Sequence, residues 1–175
     1  MSPMHTTKQE VFKRILDLLR KGLPDYANRI YLVAGQDMPD NVRDKDFLIV
    51  RVGGGTFNRR IMEASGPTVT PYECSCTVEI WKNNRQDRNG TSEHILLSDG
   101  AGLLEVEQAI LSSLSGTYLA SVDKPFEGLL TTAMFPLDDS EPQRQQDEVW
   151  EENGNKTASR AVLGITFNVA FMWQL

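Results

Sequence analysis

Two cysteines, two histidines and a run of three glycines are the residues of this 175-residue chain with the most specific chemistry to offer. Cys74-x-Cys76 presents two thiols at a spacing that could begin a zinc site. Such a site takes four ligands, and His5 and His94 are the only histidines to complete it. The cysteines alternate in step with Val78 and Ile80, which puts all four on one face of a strand, where a free cysteine behaves as a small hydrophobe. A disulfide between strand residues two apart is disfavoured by the divergence of their side chains. Gly53-Gly54-Gly55 follows an apolar run, where a phosphate loop would start. Neither G-x-x-x-x-G-K-[S/T] nor G-x-G-x-x-G spacing is met, and no amphipathic helix begins behind the glycines to hold a phosphate at its N-terminus. They read as a flexible turn. No G-x-S-x-G elbow exists, and both histidines lie in polar segments, so a Ser or Cys nucleophile finds no base. The expectation is a protein with no catalytic residues, no cofactor and no metal.

Charge is the other chemistry present. Residues 137–158 hold seven acids: Asp138, Asp139, Glu141, Asp147, Glu148, Glu151 and Glu152. A general acid needs a pKa raised by burial or a close partner, which a solvated acidic loop does not supply. This stretch is poor in apolar residues and reads as a long loop facing solvent or a partner. Basic residues gather in two further loops, Arg59 with Arg60, then Lys82, Arg85 and Arg88. The second group is interleaved with Asp87 and amides, not aromatics, so it makes no stacking platform for single-stranded nucleic acid. Pairing of the basic loops of one copy with the acidic loop of the next would suit a head-to-tail ring. With 18 basic against 24 acidic side chains, net charge −6 and pI near 5.0, the chain offers no broad phosphate-wrapping surface. Apolar residues at 40% and charged residues at 24% are ordinary for a globular fold, and the length suits one domain over 1–175.

The elements that must position these residues follow from periodicity. Thr7 and Glu10 form a T-x-x-E capping box. Val11, Phe12, Ile15, Leu18 and Leu19 then recur on one helical face, with Gly22 as a left-handed cap and Pro24 as a stop. Residues 29–34 and 47–52 read as short strands, and 53–73 as a long loop carrying Arg59 and Arg60. Cys74 to Lys82 is an alternating strand. Leu103, Val106, Ile110 and Leu114 mark a second helix, and 128–135 another strand. From Leu163 to Trp173, every second residue is large and apolar, the signature of a long antiparallel strand with one buried face. The order predicts an α+β fold, a mainly antiparallel sheet with two helices packed on one face. The first twenty residues lack the apolar core of a signal peptide, and no run is long enough to span a membrane, so a reducing cytoplasm is the expected compartment.

An N-terminal amphipathic helix, a strand ending in Ile80-Trp81, a polar loop, a Leu-rich helix at 103–114, a strand at 128–135, an acidic stretch and an alternating strand to residue 173 form a recognisable order. It resembles the tail terminator, or tail completion, proteins of tailed bacteriophages over residues 7–34 and 72–173. The resemblance implies a non-enzymatic virion protein, assembled in the host cytoplasm. It would form a hexameric ring with itself on the head-proximal end of the tail tube, contact the tail tube protein, end tube polymerisation, and present a surface to the head–tail connector protein. DNA would pass through the lumen without specific binding, past acids that repel phosphate. The acids of 138–152 would then face the lumen or a neighbouring subunit. The basic residues Arg59, Arg60, Lys82, Arg85 and Arg88 would contact a neighbouring subunit or the tube. Another connector or neck ring protein and, from a different class, a small cytoplasmic ligand-binding domain are the alternative readings.

Overall fold

The computed structural model describes residues 7–39, 46–57, 69–83, 96–97, 102–114, 133–151 and 154–174. Helix α1 spans Lys8–Gly22 and starts as its capping box requires. The Thr7 hydroxyl accepts from the Glu10 N–H at 3.3 Å, and the Glu10 carboxylate accepts from the Thr7 N–H at 2.8 Å. Val11, Phe12, Ile15 and Leu19 are buried, while Leu18 sits half-buried at the margin of the stripe. Gly22 does not form the expected left-handed cap; among the described glycines only Gly35 has positive φ. The absence of a side chain at Gly22 has another cause. A Cβ there would lie 1.9 Å from Ser113 Oγ on the second helix, α2 (Leu103–Leu114), so the glycine lets the two helices approach.

Among the described residues six strands follow, in the order β1 (Ile30–Val33), β2 (Phe47–Phe57), β3 (Val69–Asn83), β4 (Ala133–Asp139), β5 (Gln143–Glu151) and β6 (Gly154–Gln174). In space the sheet runs β1-β2-β3-β6-β4, with β5 also paired to β6. Every pairing is antiparallel except β1 with β2, which the intervening residues 34–46 connect in the parallel sense. Leu48 and Val50 of β2, Cys76, Val78 and Ile80 of β3, and Leu163, Ile165 and Phe167 of β6 point into one core with Ile15 and Leu19 of α1 and Ile110 and Leu114 of α2. This is the expected α+β arrangement, with both helices on one face. The large residues of β6 face the helices, and Gly164, Thr166, Asn168 and Ala170 lie half-exposed on the other side.

Three loop expectations change. The strand over 47–52 continues through the glycines to Phe57, and β3 already begins at Val69, so the expected loop at 53–73 contributes ladder at both ends; residues 58–68 lie outside the described residues. The glycines are not a flexible turn. They carry a β-bulge between Val52 and Gly55, and crowding dictates the identity of Gly53 and Gly55. A Cβ on Gly53 would meet Ser75 Oγ at 1.8 Å, and one on Gly55 would meet the Glu73 carbonyl oxygen at 2.1 Å. The strand expected at 128–135 is seen as β4 at 133–139, its first residues lying outside the described set.

The largest difference concerns the acidic stretch at 137–158, which is not a loop. β4 and β5 lie end to end along one side of β6, so residues 133–151 fold back on 154–170 as one long hairpin. The break between them is bridged by Ser140, whose N–H donates to the Gly164 carbonyl while its hydroxyl accepts the Gly164 N–H, each at 2.8 Å. Pro136 is tolerated because β4 is an edge strand, and a bulge follows it before Asp138. The stretch pairs through its backbone, so it needs no apolar alternation of its own. That is why a reading based on apolar pattern missed it.

Candidate functional site

β6 is longer than its neighbour. β3 pairs with it over Arg160–Gln174, whereas β5 pairs with it over Gly154–Val162. Among the described residues, 154–159 therefore pair only with 146–151. These two segments form a ribbon that projects past the end of β3, about 20 Å at the usual rise of a strand. A two-stranded ribbon is marginal on its own in water. Its β5 strand carries Asp147, Glu148 and Glu151, against Lys156 on the β6 strand.

Asp138 and Asp139 are exposed at the end of β4, and Glu141 is exposed in the connection to β5. Asp147, Glu148 and Glu151 fall on β5, opposite Ala158, Thr157 and Gly154 in the ladder. Six of the seven acids thus lie along a single sheet edge, and Glu152 lies outside the described residues. Sequence reasoning missed a further member, Glu107 of α2. Its carboxyl stays protonated to higher pH than an ordinary glutamate, first through partial burial, then through a hydrogen bond and the like charge at Asp139. The signal was present in the helical period: Glu107 lies one turn beyond Leu103, on the flank of the buried stripe.

Of the basic residues, Lys82 is half-buried at the end of β3, opposite Ala161. Arg59, Arg60, Arg85 and Arg88 lie outside the described residues. The described cationic surface is elsewhere, on α1, which carries five bases (Lys8, Lys13, Arg14, Arg20 and Lys21) against Glu10 and Asp17. Lys13, Arg20 and Lys21 are exposed; Arg20 pairs loosely with Asp17 at 3.7 Å. Lys8 turns inward instead. Its ammonium donates to the Gly53 carbonyl at 2.9 Å and to the Tyr72 hydroxyl at 3.1 Å, and lies 5.3 Å from that ring's centroid. Tyr72 in turn packs with Phe57, Phe171 and Trp173.

On the sheet face away from the helices, Phe47 stacks on Trp81 at 5.8 Å, and Ile49 is buried beside them. Arg51 spans the same face. Its guanidinium donates to both oxygens of Glu79 (2.7 and 3.1 Å) and to the carbonyls of Gly35 and Asp37. The Trp81 indole N–H donates to Glu79 as well. This network fixes the start of the β1–β2 connection on the sheet.

Cys74 and Cys76 are free and buried in the core, as their alternation predicts. Burial, then the neighbouring Cys74 thiol, pushes Cys76 up to about 12, which leaves it protonated and unreactive at neutral pH. Among the described residues, no group of three or more His, Cys, Asp or Glu is placed to hold a metal ion. No described helix is long and apolar enough to cross a membrane.

No protein-family model matches the chain, and comparison with curated proteins finds no match.

Proposed function

We propose that this chain is a structural subunit of a tail terminator-like ring. On this reading, copies assemble, as a hexamer, on the head-proximal end of a bacteriophage tail tube. They end tube polymerisation and present the surface that joins the head–tail connector, with DNA passing through the lumen. The protein performs no catalysis; its work is done by surfaces. The observation that carries the reading is the β5–β6 ribbon, a two-stranded projection that, among the described residues, pairs with no third strand. Such an element gains stability by lying on another molecule. The α+β body has the fold class that this reading expects.

The test is a tube-capping assay. Added to polymerising tail tube protein, the chain is expected to shorten the tubes in a dose-dependent way and to label one end in negative-stain images. Tubes of unchanged length with bare ends would reject the terminator role. Decoration of emptied heads in place of tubes would make it a neck or connector ring.

A further inference from the structure

The charges of this subunit are sorted by flank. α1 packs on β1 and α2, whereas α2 packs on β3, β4 and β6, so α1 lies toward the β1 edge of the sheet. The acid-rich β4–β5 run lies on the opposite edge, beyond β6. A chain of net charge −6 thus carries a basic helix on one flank and its densest acids on the other. Within one copy these surfaces are separated by the width of the sheet. Between two copies set side by side they meet.

We infer that the exposed face of α1, carrying Lys13, Arg20 and Lys21, is the docking surface for the acidic β4–β5 edge and projecting ribbon of a second copy of this chain. The inference rests on the ring reading above and names the two surfaces that would build each ring contact. Three observations support it. Charge is complementary in net sign: α1 exposes Lys13, Arg20 and Lys21 against Glu10 and Asp17, and would meet Asp138, Asp139 and Glu141 and the β5 acids of the neighbour. Length also matches: α1 has 15 residues, about 22 Å at the helical rise, against about 20 Å of projecting ribbon. Finally, a two-stranded ribbon is marginal on its own, so this one gains stability by lying on a second surface. The two surfaces differ, so the contact is heterologous. Repeated around an axis it closes into a ring. This assignment also relocates the cationic partner, from the basic loops expected on sequence grounds to the face of a helix.

The test is charge reversal with exchange. One variant carries Lys13→Glu, Arg20→Glu and Lys21→Glu, all at exposed helical positions; a second carries Asp138→Lys, Asp139→Lys and Glu141→Lys; a third carries all six. Circular dichroism melts confirm that each is folded. Self-association is read by light scattering over a concentration series, and by co-sedimentation with tail tubes. Each single-flank variant is expected to raise the concentration at half-assembly by tenfold or more, about the effect of opposing charges at an interface rim. The six-fold exchange is expected to restore assembly, and added salt to weaken the wild type. A folded α1 variant that assembles like wild type overturns this inference while leaving the ring reading intact. Failure of the exchange to restore assembly overturns it in the same way. A wild type that stays monomeric with and without tubes overturns the ring reading and this inference together.

Discussion

Breaking the Arg51–Glu79 pair should destabilise the protein in a way that one double-mutant cycle can apportion. The two side chains are 14% and 19% exposed and joined by two hydrogen bonds, so the pair is neither an open surface contact nor a dry one. Exposed pairs contribute about 0.2–1 kcal/mol, whereas removing one partner of a buried pair costs about 3–5 kcal/mol. Arg51 also holds the Gly35 and Asp37 carbonyls, and Glu79 also accepts the Trp81 indole. Arg51→Met should therefore cost about 2–3 kcal/mol, between those limits, and Glu79→Gln less, since an amide oxygen can still accept from Trp81. The two should couple by about 1 kcal/mol. With a urea slope of roughly 1–3 kcal/mol per molar, the Arg51 variant's midpoint falls by about 1 M. Tryptophan fluorescence is the natural assay because Trp81 reports on Glu79 directly. A coupling below about 0.3 kcal/mol would refute the reasoning, and would mean that Arg51 acts through the 35–37 carbonyls alone.

Three further outcomes are expected. Thr7→Ala should cost about 1 kcal/mol through loss of the α1 cap, and Thr7→Ser should recover most of it in the same denaturation assay. Gly55→Ala should cost about 1–3 kcal/mol, because its Cβ meets the Glu73 carbonyl and the Tyr72 ring, whereas Gly54→Ala, with nothing within 4 Å, serves as the mild control. For Glu107 the sign follows from its raised folded-state pKa. Its contribution is fully present below the unfolded carboxylate value and is lost as pH rises through the folded one, so Glu107→Gln should stabilise slightly at pH 7, solvent screening keeping the effect small, and lose that advantage near pH 4. Melting temperatures across that range check it.

What the sequence reveals here depends on whether a segment is held by its side chains or by its backbone. α1, β3, α2 and the C-terminal part of β6 bury alternating or helically spaced apolar residues, and each was readable from that spacing. β5 is held by its ladder to β6, and its run of amides and acids carries no apolar period, so it read as a loop. The glycines of β2 read as a turn because the reason for Gly53 and Gly55 is Ser75 and the Glu73 carbonyl on another strand, invisible to local pattern. The parallel sense of β1 against β2 likewise has no local signature. At the candidate interface, the acids were visible as composition, but their alignment on one edge needed the hairpin. The basic face of α1 was overlooked because every surface helix must put polar residues on its solvent side. Only the placement of α1 toward the edge opposite β4 and β5 sets its exposed cations on the other flank of the sheet from the acids.

The most direct test of the account is the native mass of the 175-residue chain by light scattering across a concentration series, with negative-stain images of the same fractions and of fractions mixed with tail tubes. The account predicts annular particles of hexameric mass, built from 19.7 kDa subunits, in free solution or on tube ends. A 19.7 kDa monomer at every concentration, with no particle on the tubes, would contradict it.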